Sequence, residues 1–148
     1  FGAKYFRNRN LAFLIPIVAL WFSDVIINNF ILSQYFEGFT FFYSGFYWQY
    51  GTFLLITLIG RKTLNNFSFL KLLGVSISSS LLFFIISNFG VWLSSSFYSK
   101  DIMGLIACYT AAIPFYFGTL SGSVFYSFFL FGSYELLSKN TSKVFTNK

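Results

Sequence analysis

Residues 103–137 carry no Lys, Arg or Asp, and their one charge is Glu135 near the end. A membrane crossing takes roughly 20 apolar residues, so this stretch is too long for one straight crossing and slightly short for two. Three other apolar runs precede it, at about 11–32, 41–60 and 72–93. Runs of this kind leave little choice of solvent. Only 9% of the 148 residues are charged, whereas a water-facing domain carries about 25%. The runs do not alternate apolar and polar residues as barrel strands would. The sequence therefore predicts an all-α integral membrane protein, one transmembrane domain over 1–148. Four helices are expected to cross the bilayer, with aromatic residues (24 Phe, 10 Tyr) at lipid-facing and interfacial surfaces.

The net charge of +6 does not read as a nucleic-acid surface, because the basic residues fall in short clusters between the apolar runs. Such clusters are topology signals, with Lys and Arg favouring the cytoplasmic side. Lys4, Arg7 and Arg9 precede the first run, and Glu37 follows it. Arg61, Lys62 and Lys71 separate the second and third, Lys100 and Asp101 cancel, and Lys139, Lys143 and Lys148 end the chain. Read in order, the segments alternate inside and outside, with the C-terminal end inside. Residues 103–137 must then cross an odd number of times, most simply once. The surplus is expected as a short non-spanning helix at about 102–116, broken by Pro114 and Gly118 before a crossing at 119–137; the alternative is a tilted hairpin of two short helices with the C-terminal end outside. Residues 138–148 are expected as a polar cytoplasmic tail. "FGAKYF" (1–6) reads as the end of a preceding helix, so the domain is expected to be incomplete at its N-terminal side.

The chain lacks His and has one cysteine, Cys108. Imidazole metal sites, His proton relays and an internal disulfide are thereby excluded, and Cys108 reads as inert packing. No hydrolase, kinase or metal-binding motif occurs. Asp24 and Glu37 flank one outer loop while Glu135 lies at the opposite end. The expectation is therefore no enzyme, no cofactor and no metal.

Polar residues inside the apolar runs are the candidates for a site. Asp24 is costly at membrane depth unless paired or hydrated. No basic residue lies inside another run to pair with it. Asn28 follows one helical turn later on the same face. Asn88 and Trp92 are likewise a turn apart and could hydrogen-bond and stack on a flat ligand. Tyr109 brings a hydroxyl among small residues. Each also has a plain structural reading: a hydrogen bond between helices, or a place in the aromatic belt. Gly118 and Gly122 have the spacing of a small-residue packing face, expected to serve packing within the fold.

The segments "LAFLIPIVALWFSD" (11–24), "NFGVW" (88–92), "GLIACYTAAIPF" (104–115) and "GTLSGSVFY" (118–126) resemble an uncharacterised family of bacterial membrane proteins. That family is itself similar to the substrate-binding, or S, components of energy-coupling factor transporters. The resemblance covers nearly the whole chain. It implies six helices in the full protein, a ligand held near the outer face, and a place in the bacterial cytoplasmic membrane. The family pattern has an Asp after the glycine of its last motif, where this chain has Ser123. The function so implied is binding of a small solute in the outer half of the bilayer, for uptake with partner subunits. Asp24, Asn28 and Asn88 would supply polar contacts, and Trp92 and Tyr109 stacking. The alternative is a non-catalytic accessory subunit of a larger membrane complex. Either way the expected partners are lipid and other membrane subunits, with no nucleic acid.

Overall fold

The computed structural model describes residues 8–64 and 68–146. The reading of 1–6 as the end of an earlier helix lies outside them, as do Lys4 and Arg7. All regular structure in the described residues is helical. Helix α1 spans Arg9–Ile26 and runs on into a π-helical turn, Ile27–Ile31, then a 3-10 turn, Ser33–Tyr35. Helix α2 spans Phe46–Thr63, α3 Phe69–Ser94 and α4 Ile102–Thr146.

Local chemistry sets the helix ends. Asn8 caps α1 by accepting the Asn10 N–H at 2.9 Å, satisfying one of the orphan donors of the first turn. Gly45 turns the chain into α2 at φ +83°, a conformation that disfavours any residue with a Cβ. Arg61 and Lys62 sit in the last turn of α2, where positive charge complements the helix dipole. Asp101 caps α4, its carboxylate accepting the Gly104 N–H at 2.7 Å.

Among the described residues three helical segments are long and apolar enough to cross a membrane: Asn10–Ile31, Phe69–Ser94 and Ile102–Ser138. The expected count was four. Helix α2 does not qualify, because Tyr47, Trp48, Gln49 and Tyr50 make its first turns polar and Arg61 and Lys62 close it. Its expected start at 41 is also early. Residues 41–45 are irregular and lead into the Gly45 turn.

The second correction concerns α4. The expected break into a short helix at 102–116 and a separate crossing does not occur, and one helix of 45 residues passes through Pro114 and Gly118. Proline removes one backbone hydrogen bond, a loss that membrane helices tolerate when neighbours support the turn. Here α3 packs along both sides of Pro114. Tyr109 donates to the Ile85 carbonyl at 2.6 Å, Tyr116 lies against Phe84 at 5.0 Å, and Phe128 stacks on Phe69 at 5.8 Å. At 1.5 Å per residue α4 is about 67 Å long, against a hydrocarbon core of about 30 Å. The helical backbone also continues through most of 138–148, the segment expected as a polar tail.

Each helix packs antiparallel on the one before it. Side chains pair Phe53 with Phe83 and Trp48 with Phe89 across α2 and α3, and Asp24 with Tyr50 across α1 and α2. The backbone of α1 comes close to α2 but to neither α3 nor α4, so the helices form an arc rather than a closed bundle. At the Arg61 end Leu64, Leu72 and Phe131 form a small buried cluster, flanked by Val75 and Phe128. At the other end the Trp48 ring fills the notch left by Gly90, where an added Cβ would lie 2.3 Å from its Cγ.

Candidate functional site

Because α1 touches only α2, the space between α1 and α4 is not filled by packing. It forms a hollow of about 410 Å³ at the Arg61 end, walled by all four helices. The volume falls in the usual range for small-molecule sites, about 300–1,000 Å³. Pro16 of α1, Ile56, Thr57, Gly60 and Leu64 of α2, Ser76 and Ser79 of α3, and Ser123, Tyr126 and Ser127 of α4 all face it. Glycines at 60 and 122 and serines at 76, 79 and 123 keep the wall thin. Among the described residues no charged side chain lines the hollow. Its chemistry is six hydroxyls on an otherwise apolar surface, with the Thr57 hydroxyl donating to its own helix at Phe53, 2.8 Å away. Such a wall takes an uncharged molecule with a few polar atoms. An ion would be left without a counter-charge.

The five residues expected to share one site fall into three places. Asp24 lies at the seam of α1 and α2, and Asn28 one helical turn beyond it, where α1 runs into the π turn. Tyr50 donates its hydroxyl to Asp24 Oδ2 at 3.0 Å, and Asn28 is 7% exposed with its amide nitrogen unpartnered among the described residues. Beside them Asn29 stitches the following loop to the π turn. Its Nδ2 donates to the Val25 and Thr40 carbonyls, both at 2.8 Å, and its Oδ1 accepts the Thr40 N–H at 2.7 Å.

Asn88 lies between α3 and α4 and lines a cleft of about 200 Å³ with Phe83, Phe84, Ser87, Ala112 and Tyr116. Its Nδ2 donates to the Phe84 carbonyl at 2.7 Å. Tyr109 is nearby, edge-on to Phe84 at 5.6 Å, with its hydroxyl committed to Ile85.

Trp92 belongs to the corner between α3 and α4. Its Nε1 donates to the Ser99 carbonyl at 2.9 Å. The Lys100 ammonium lies 5.8 Å from its ring centroid and donates to the carbonyls of Trp92 and Ser95. Lys100 thus caps the C-terminal end of α3 while Asp101 caps the start of α4. These two opposite charges are fixed by helix ends. The Gly104 N–H, and after it the Ser99 hydroxyl at 2.8 Å, hold the Asp101 carboxyl below its ordinary range.

Gly118 and Gly122 do not serve as a close-packing face among the described residues, since a Cβ on either would meet nothing within 4 Å. The serines near them were legible as small residues. That Ser76, Ser79, Ser123 and Ser127 form one wall depends on the register of two helices, which spacing within one helix does not reveal.

No curated protein and no solved structure matches the chain. A family model described as Family of unknown function (DUF6580) matches residues 1–145, and the chain belongs to that family.

Proposed function

We propose that this member of a family of unknown function is a membrane-embedded solute-binding component. It would take a small uncharged molecule bearing a few hydroxyl, ether or amide groups and pass it across the bilayer with partner subunits. The observation that supports this most is the four-helix hollow of about 410 Å³, with six hydroxyls and no charge on its wall. The resemblance to S components fits the same role. Since no nucleotide-binding loop occurs in these 148 residues, energy would come from outside them.

In this reading α2 is the fourth crossing, despite its polar first turns. Helices α1 and α3 both pack antiparallel to it, so a chain that crosses in α1 and again in α3 returns through α2. The Arg61 end, which gathers Arg61, Lys62 and Lys71, would face the cytoplasm. The hollow then opens on the delivery side, at the opposite end from the outer half where a ligand is expected from the resemblance.

Purification of the chain in mild detergent, followed by mass spectrometry of the small molecules that accompany it, tests the proposal. Gly122→Phe would fill the hollow without touching a packed contact, because the Cβ of residue 122 has nothing within 4 Å. The expected result is a small molecule bound to the parent chain and absent from Gly122→Phe, with equal helix content in both. A parent chain free of small molecules, or equal amounts in both, would overturn it.

One observation favours the accessory-subunit reading. The exposed faces at Gly118, Phe115 and Phe117 lie on α4 with no described helix against Gly118. In that case Gly118→Leu would release a co-purifying membrane subunit while Gly122→Phe leaves it bound.

A further inference from the structure

A second feature, independent of the hollow, lies at the seam of α1 and α2. Asp24 stands within the apolar segment Asn10–Ile31, and the partner the structure gives it is neutral, the Tyr50 hydroxyl at 3.0 Å. The cations of the described helices are elsewhere. Arg61 is eleven residues beyond Tyr50, about 16 Å along α2, and Lys100 is committed to the end of α3. A carboxylate at membrane depth costs several kcal/mol unless something neutralises it.

Asn28 supplies the second observation. It lies one turn beyond Asp24 on the same helix face, is only 7% exposed, and its amide nitrogen has no partner among the described residues. A half-turn of a carboxamide presents its oxygen in place of its nitrogen, so the unpartnered position of Asn28 can hold an oxygen ligand. The backbone is specialised at the same point. The Leu32 N–H reaches back five residues to the Ile27 carbonyl at 2.8 Å, and the switch from four- to five-residue spacing skips one carbonyl. Turns of this type concentrate at functional sites. Asn29 holds this one in shape through Val25 and Thr40.

The available ligands are hard oxygens: one carboxylate, one amide and one phenol. The described residues contain no group of three His, Cys, Asp or Glu side chains that could hold a metal ion. A single negative charge with neutral oxygens balances a single positive charge. The titratable groups facing Asp24 from the packed elements are Tyr50 of α2 and Tyr43 of the loop entering it. The Tyr43 hydroxyl donates to Gln49 Oε1 at 2.8 Å.

We propose that the α1–α2 seam is a monovalent-cation site, with Asp24 as its charged ligand and Asn28 and Tyr50 completing it, taking Na⁺ or a proton. Occupancy neutralises Asp24 and ties α1 to α2, the only described helix whose backbone comes close to α1.

The test uses the full chain in lipid nanodiscs. Trp21 on α1 and Trp48 on α2 flank the seam in sequence and report through intrinsic fluorescence. NaCl is titrated against N-methylglucamine chloride at constant ionic strength, in mildly acidic and mildly alkaline buffer. A saturable Na⁺ response that weakens in acid, vanishes in Asp24→Asn and shifts by about tenfold in half-saturation in Asn28→Leu identifies a Na⁺ site. A response to pH alone, abolished by Asp24→Asn and indifferent to Na⁺, identifies a proton site. Asp24→Asn keeps an acceptor for Tyr50, and circular dichroism checks its fold. If folded Asp24→Asn and the parent chain respond identically to Na⁺ and to pH, the proposal is overturned.

Discussion

Replacing Gly104 with Ala should open the start of α4, and the only cysteine of the chain is placed to report it. A Cβ at residue 104 would lie 2.1 Å from the Ser99 carbonyl oxygen and 2.8 Å from its carbon. Carbon and oxygen ordinarily meet at about 3.3–3.6 Å, so either the corner or the helix must move by more than about 1 Å. The corner cannot move freely. The same Ser99 carbonyl accepts Trp92 Nε1, the Ser99 hydroxyl donates to Asp101, and Asp101 accepts the Gly104 N–H. Opening it forfeits about 1 kcal/mol for the Trp92 bond and somewhat less for the exposed Ser99 bond, plus about 1 kcal/mol for the cap. The better helix propensity of Ala returns about 1 kcal/mol. The net is about 2 kcal/mol, or roughly 30-fold in a local opening equilibrium. Cys108 lies one turn beyond Gly104, is 2% exposed, and donates its Sγ–H to the Asn88 carbonyl at 3.5 Å. Maleimide labelling of folded protein in micelles should therefore run roughly 30-fold faster in Gly104→Ala. Gly118→Ala, with nothing within 4 Å of the new Cβ, should label at the parent rate. Equal rates for Gly104→Ala and Gly118→Ala would refute the view that this corner holds α4 in place.

The Asp101 carboxyl is held down chiefly by the Gly104 N–H and next by the Ser99 hydroxyl, so its contribution is present above the unfolded value of 3.8 and is lost as pH falls through the lower folded value. Thermal melts should show an acid-side loss of stability below that point which is smaller in Asp101→Asn. Gly90→Ala forces a Cβ to 2.3 Å from Trp48 Cγ and should destabilise by about 1–3 kcal/mol. Melting temperature checks this, with relief in the Trp48→Leu double variant and none of the loss in Gly74→Ala. Asn29→Ala removes its three bonds to Val25 and Thr40 and should cost about 2 kcal/mol locally. Limited chymotrypsin digestion, read at the aromatic residues of 35–43, should cut this variant faster than the parent.

The apolar runs at 11–32 and 72–93 matched α1 with its π turn and α3 to within a few residues, because burial in lipid needs only length and apolar composition. Three things were not legible for physical reasons. Phe41, Phe42 and Tyr43 look like the start of a crossing, yet Gly45 needs a left-handed backbone and delays α2. Pro114 looks like a break, but packing of α3 on both sides of it outweighs a single lost hydrogen bond. Lys100 and Asp101 look like loop charges that cancel, whereas one caps α3 and the other caps α4. Asp24 and Asn28 stood out from the sequence because polarity at membrane depth is visible in one helix alone. The hydroxyl hollow did not stand out, since its wall is contributed by four helices in a particular register.

The arc in which each described helix packs only on its neighbours in sequence also governs how the protein can be made. A helix that needs a partner synthesised later must wait in the membrane with its polar groups unmet. None of the described helices is in that position, apart from α1 while α2 is being made. Tyr50 arrives for Asp24 with α2, Trp48 is already present when Gly90 of α3 appears, and Ile85 is in place for Tyr109 of α4. Assembly can keep pace with synthesis because its contacts are between sequence neighbours, the condition for fast folding. The wall of the hollow is completed only when α4 supplies Ser123, Tyr126 and Ser127 and then Leu130 and Phe131, so the cavity takes shape only with the last described helix.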